Sequence, residues 1–191
     1  GAMPIFRFGT DAQRAQFLPN LLAGRALAGF GLTEPEAGSD AGSTRTTARL
    51  EGAEWVIDGA KQFITNSGTA ITQFVTVTAV TGHRGDRKEI STIIVPNGTA
   101  GFEVGPAYDK VGWHASDTHP LTFTGARVPQ GNLLGERGRG FANFLSILDE
   151  GRVAIAALAT GAAEGCLDAA LDYAQSRQVF GERLGSRQSI Q

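Results

Sequence analysis

Hydrophobic positions along the 191-residue chain follow three rhythms in succession. Over Asp11–Leu22, Ala15, Leu18 and Leu22 recur at helical steps behind Asp11, an N-cap candidate, which predicts a short helix followed by a bend at Pro19. From Arg25 to about Gly135 the pattern shifts to short runs of β-branched and aromatic residues cut by Gly, Asn, Asp and Pro. Strands are expected over 26–32, 44–50, 54–57, 61–65, 72–79, 90–95, 102–105 and 121–124, an all-β body. From Gly140 to about Gln178 Ala is abundant, and Phe144, Ile147, Leu148, Ile155, Leu158, Leu167 and Leu171 return every three or four residues. That predicts one long helix buried on more than one face, with Gly161 and Gly165 permitting close neighbours. Residues 179–191 read as a turn at Phe180-Gly181 leading into the start of a further element.

Composition removes several classes of function. Lys and Arg number 17 against 19 Asp and Glu, so the surplus of basic side chains that nucleic acid requires is missing. The most apolar tract, 153–171, is interrupted by Glu164 and Asp168, which argues against a bilayer span. Cys166 is the sole cysteine, so no intramolecular disulfide and no multi-cysteine metal site can form; a reducing, cytoplasmic setting and no bound metal are expected. Gly29-Phe30-Gly31 and Gly138-Arg139-Gly140 both lack the third glycine of a dinucleotide fingerprint, and no phosphate-loop motif occurs. His83, His114 and His119 fall in turn-like segments and read as solvated.

Two stretches are chemically unusual. LTEPEAGSD (32–40) leaves a strand and brings Thr33, Glu34, Ser39 and Asp40 around Pro35 and Gly38. Backbone N–H groups and hydroxyls in such a concave turn suit an anionic or strongly hydrogen-bonding ligand, although a plain connection with local Asx and Ser capping has the same composition. In GAKQFITNSG (59–68), alternation sets Phe63 and Thr65 on one strand face. An aromatic plane beside a hydroxyl can flank a flat heterocycle, or can simply be core packing with a capped turn.

These two stretches, with VGWHASDT (111–118), LDEGR (148–152) and RQVFGE (177–182) in the same order and spacing, resemble the acyl-CoA dehydrogenase family from Phe8 onwards. The resemblance implies an α+β fold: an antiparallel β-barrel-like middle domain (25–137) flanked by the end of a helical domain (1–24) and the truncated start of a second (138–191). It implies FAD as cofactor, with the Leu32 backbone and the Thr33 hydroxyl at the flavin pyrimidine edge, and Ser39 near the phosphates and the CoA ester. Thr65 would reach the N5 side and Phe63 would pack on the ring. Many members carry Trp at that position, so Phe63 keeps the stacking surface and loses one N–H donor. Arg177, Phe180 and Gln188 match the residues that grip the pyrophosphate and adenine ends of FAD from a neighbouring protomer, which implies a homodimer or homotetramer.

The implied reaction removes the substrate α-proton while the β-hydrogen leaves as hydride to flavin N5, giving a trans-2-enoyl-CoA. An electron-transfer flavoprotein is the implied acceptor. Asp149 and Arg152 match positions that contact the pantetheine arm. Some members place the catalytic Glu directly before the arginine matching Arg152, where this chain has Gly151. Glu150 is one residue earlier, about 100° away around a helix, and reads as a solvated or structural charge. Most members carry the base farther along, so the usual catalytic Glu is expected outside these residues. A flavin oxidase or monooxygenase on the same scaffold, or a non-catalytic flavin-binding module, would share the motifs.

Overall fold

The computed structural model describes residues 1–191, which divide into two compact units, Gly1–Ile147 and Leu148–Gln191. The first unit opens with α1 (Ala2–Phe8) and α2 (Asp11–Leu22). Thr10, not Asp11, caps α2: its hydroxyl accepts from Gln13 N at 3.2 Å while Gln13 Oε1 accepts from Thr10 N at 3.0 Å, a reciprocal capping box. The helix runs through Pro19 to Leu22 rather than ending in a bend at the proline. Gln13 is buried, and its amide donates to the carbonyls of Gly131 and Leu133 at 2.8 and 2.9 Å, tying α2 to the sheet.

The sheet strands are β1 (Leu27–Gly31), β2 (Thr47–Glu51), β3 (Glu54–Thr65), β4 (Thr72–Arg84), β5 (Arg87–Pro96), β6 (Phe102–Val104), β7 (Thr118–Pro129) and β8 (Leu133–Leu134). Their spatial order is β6-β7-β3-β2-β4-β5-β8, with β1 lying parallel to β4. β6 and β8 end the path, so the sheet is open and the barrel-like expectation is corrected. β4 holds the centre. β5 pairs along one flank; β1 and β2 share the other, β1 along 72–77 and β2 at the single Thr47–Val80 pair.

Both faces of β4 are covered, which is why Phe74–Thr81 reads as an unbroken run instead of an alternation. Val75, Val77 and Ala79 face a core with Trp55, Ile57, Ile93, Val95, Leu121 and Phe123. Phe74 faces the other way, into Ile5, Phe17, Leu18 and Ile94, with Phe17 edge-on to it at 4.9 Å.

The runs expected at 54–57 and 61–65 form one strand, β3, carrying register shifts between Ile57 and Gly59 and between Lys61 and Ile64. Gly59 sits at φ 146°, where a Cβ would come within 2.7 Å of Thr46 Cα. The strand expected at 44–50 starts only at Thr47, because Ala41–Ser43 closes a 3-10 turn first.

α3 (Gly140–Ser176) starts in the first unit and makes up most of the second. Phe144 is buried, with its ring stacked on Phe30 at 3.9 Å. Beyond it the expectation of a helix buried on more than one face is not met: Val153, Ile155, Leu158, Leu167 and Leu171 are all exposed. One 18-residue window of α3 reaches a mean hydropathy of 1.4, so by length and composition this helix could cross a bilayer. A hairpin of β9 (Gln178–Val179) and β10 (Glu182–Arg183) follows, turned by Phe180 at φ 53° and Gly181 at φ 83°.

Gly59→Ala should lower stability by about 2 kcal/mol or more, because the new Cβ meets backbone in a conformation L-residues disfavour. Urea unfolding should show an earlier midpoint; an unchanged midpoint would mean that β2 and β3 can separate at Thr46 without penalty.

Candidate functional site

After β1 the chain leaves the sheet over 32–46, and one buried side chain gathers this excursion. Lys61 of β3 is 0% exposed, and its ammonium donates to Glu34 Oε1 at 2.7 Å, Thr78 Oγ1 at 3.0 Å and the Leu32 carbonyl at 3.3 Å. Three N–H groups meet three acceptors. The Glu34 carboxylate, itself buried, also accepts from Arg45 N at 2.6 Å and Thr46 N at 3.1 Å. Backbone bonds between Glu34 and Ala37, 3.0 and 3.2 Å long, close the turn around Pro35. Gln62 N donates to the Thr33 carbonyl at 2.8 Å, and Val80 N to the Thr46 carbonyl at 2.8 Å. Both ends of the excursion are thereby fastened to β3 and β4.

Burial alone pulls the Lys61 ammonium down from its ordinary 10.5; Glu34 opposes this, and the group settles at about 8. For Glu34 burial pushes upward, but the Lys61 charge and hydrogen bonds from Lys61, Arg45 and Thr46 together hold its carboxyl below the usual value. Both groups are charged at neutral pH.

The pair was not foreseen from the sequence. Strict alternation would set Lys61 on the face of Phe63 and Thr65, but the irregularity between Lys61 and Ile64, with Phe63 at φ 59°, reverses the parity. Lys61 and Ile64 turn inward, while Phe63 and Thr65 share the exposed face as expected. The available signal was a lysine in a strand whose neighbours Trp55, Val56, Ile57 and Ile64 are all apolar.

Phe63 and Thr65 line a cavity of about 290 Å³ together with Gly1, Ala28, Phe30 and Asn66. Phe63 keeps 59% of its surface exposed and leans on Tyr108, ring centres 4.9 Å apart. The hydroxyls of Thr33, Ser39 and Thr65 form no hydrogen bond within the chain. Of these, Thr65 lies in the cavity with Phe63, a free hydroxyl beside an exposed aromatic ring that fits the edge of a flat, polar heterocycle. The volume lies at the low end for small-molecule sites, enough for part of a large ligand.

His119 is not solvated. Its Nδ1 lies 2.7 Å from the Gly105 carbonyl and its Nε2 2.6 Å from Asp117 Oδ1, while Asp117 Oδ2 accepts from Gly68 N at 2.9 Å. A Cβ on Gly68 would strike the ring, so the histidine braces the turn that follows Thr65. His83 and His114 are exposed.

The remaining predicted site residues all lie in the second unit. Asp149 and Arg152 form an exposed ion pair one helical turn apart. Arg152 lines a groove of about 400 Å³ with Leu148, Gly151 and Ile155. Glu150 is exposed. Arg177 and Gln188 are exposed, and Phe180 projects from the hairpin turn with 91% of its surface exposed. The Arg187 guanidinium, a residue absent from the sequence-based set, sits 5.1 Å from the Phe180 ring centre.

Residues 29–126 match the acyl-CoA dehydrogenase middle domain, and residues 138–191 match the acyl-CoA dehydrogenase C-terminal domain. The chain is 50% identical over 192 residues to a probable acyl-CoA dehydrogenase, YngJ, of Bacillus subtilis, covering 100% of this chain and 50% of that protein. Butyryl-CoA dehydrogenase from Megasphaera elsdenii superimposes with a TM-score of 0.90 at 41% identity, over 99% of this chain and 49% of the other. An acyl-CoA dehydrogenase complexed with FAD from Bacillus anthracis does so with 0.91 at 37% identity, over 100% of this chain and 32% of the other. The chain spans about half the length of the curated relatives it matches.

Lys61→Met should cost about 3–5 kcal/mol in urea unfolding, because it strands the Glu34 carboxylate in a dry site. The pH dependence has a definite sign. Glu34 titrates below its ordinary range when folded, so its contribution is present above that range and is lost as pH falls through the lowered value. Lys61 gives up its proton near 8 when folded but near 10.5 when unfolded, so stability from this site should rise with pH across that window. Urea midpoints measured across both windows, compared with those of a variant lacking both charges, would reveal either slope or its absence.

Proposed function

The chain belongs to the acyl-CoA dehydrogenase family, and from that premise we propose that it is the flavin-bearing part of an enzyme oxidising an acyl-CoA to its trans-2-enoyl-CoA with FAD. One observation carries the reading. The two motif segments, about thirty positions apart, are joined edge to edge by the bond from Gln62 N to the Thr33 carbonyl, leaving the hydroxyls of Thr33 and Thr65 without a partner in the chain and more than half of the Phe63 surface exposed beside Tyr108.

FAD, when bound, supplies the acceptor for the substrate β-hydrogen, transferred as hydride to N5 while a base takes the α-proton. Thr65 would offer its hydroxyl to the N5 side, and Thr33, with the Leu32 backbone, would hold the pyrimidine edge. Donors there stabilise the negative charge that builds as the ring is reduced. Phe63 supplies a stacking face and keeps water from it. Ser39, whose hydroxyl is also unpaired, serves the phosphates and the CoA ester. Arg177 and Phe180 offer a guanidinium for the pyrophosphate and a ring for the adenine, with Gln188 beside them, in a second copy of the protein. On this reading the protein is a homodimer or homotetramer, organised as 1–24, 25–137 and 138–191. Asp149 and Arg152 hold the pantetheine arm of the substrate. Glu150 is not the base, and an electron-transfer flavoprotein is the proposed acceptor.

The test uses the protein that carries this chain, purified with FAD. A visible flavin band that bleaches anaerobically with an acyl-CoA, followed by dye reduction without peroxide, is the expected result. A colourless protein, or a band untouched by straight-chain and branched acyl-CoAs alike, would refute the proposal. Thr65→Val should slow flavin reduction about tenfold to a hundredfold. The melting temperature should not move, because this hydroxyl has no partner within the chain.

A further inference from the structure

A buried ion pair is rarely the most stable filling for its space. Apolar residues of similar volume are commonly neutral or better, whereas removal of one charge alone is costly. The Lys61–Glu34 pair therefore calls for a reason other than stability, and its geometry supplies one. A single ammonium fixes three acceptors in three directions: the Leu32 carbonyl at the start of the excursion, the Glu34 carboxylate within it, and Thr78 in the central strand. Glu34 then fixes the N–H groups of Arg45 and Thr46 at the far end. The next residue after Lys61, Gln62, holds the Thr33 carbonyl. Phe63, within the irregularity, and Thr65, past it, follow directly on the same strand.

We propose that Lys61, acting through Glu34 and the Leu32 carbonyl, is a positioning residue for the flavin: it sets the register between the Thr33 hydroxyl on the excursion and the Phe63–Thr65 segment on β3. Nonpolar side chains could fill the same volume without holding those peptide planes in place. The inference rests on the flavin reading above. Besides Glu34 no charged side chain lies within hydrogen-bonding reach of the ammonium: β4 presents Thr78 to it, and the excursion presents the Leu32 carbonyl and Glu34, with Arg45 engaged outside by Glu36. Deprotonation of Lys61 should loosen the same register.

The experiment compares the wild-type protein with the double variant Lys61→Met/Glu34→Leu, each stripped of flavin, checked for its melting temperature and titrated with FAD. The variant should melt close to wild type yet bind FAD about tenfold more weakly or worse, with an altered flavin spectrum. Wild-type affinity should weaken as pH rises through about 8, and this step should vanish in the variant. A folded variant that binds FAD as tightly as wild type overturns the proposal, as does a wild-type affinity that stays flat between about pH 7 and about pH 9. If the double variant does not fold, Thr78→Val carries the test, since it removes one acceptor of the ammonium. FAD binding weakened severalfold in a variant that still folds, its melting temperature lowered by the unpaired ammonium N–H, supports the proposal, and unchanged binding overturns it. Wild-type protein that takes up no FAD overturns the functional reading too, whereas tight wild-type binding with indifferent variants overturns this inference alone.

Discussion

A cation sealed from water must have each of its protons accepted, and around Lys61 that requirement organises three pieces of chain at once. Its acceptors lie at the start of the excursion, on the turn within it and on β4. Because Glu34 must in turn be neutralised and hydrogen-bonded, it draws in the peptides of Arg45 and Thr46 and so determines where β2 can begin. The open sheet brings these strands near one another; the buried charge fixes their offset.

Much of this architecture is written plainly in the sequence. β-branched runs ended by Gly and Pro marked most strands, and the Ala-rich three- and four-residue spacing marked α3. What escaped depended on partners distant in sequence. α1 and the two-residue β8 lack a periodic signal, and each exists because it packs: Ile5 into the Phe74 face, Leu134 beside it. Pro19 sits inside a helix whose stability comes from Phe17 and Leu18 at the core, so local breaking is overruled. His119 looks like a loop residue until the Gly105 carbonyl and Asp117 are brought to its two nitrogens.

The predicted site residues divide along the same line. Phe63 and Thr65 are neighbours on one strand, so simple alternation found their common face. Thr33 could be linked to them only through Gln62, a pairing that no local pattern contains. Lys61 was hidden for a further reason, since a single register shift inverts inside and outside and alternation then gives the wrong answer. Arg177, Phe180 and Gln188 are exposed, and the turn at Phe180-Gly181 was legible from that dipeptide, whereas the hairpin it closes was not.

The left-handed backbone at Phe63 has a meaning for the history of the chain. A bulky side chain at φ 59° costs about 1–2 kcal/mol, which glycine would not incur and asparagine would reduce. Its ring stays more than half exposed, so little of that cost returns as buried surface. Selection for folding alone would drift this position toward glycine. An aromatic there serves the ring-facing role proposed for it better than it serves the fold, which makes position 63 a place to separate fitness for folding from fitness for use.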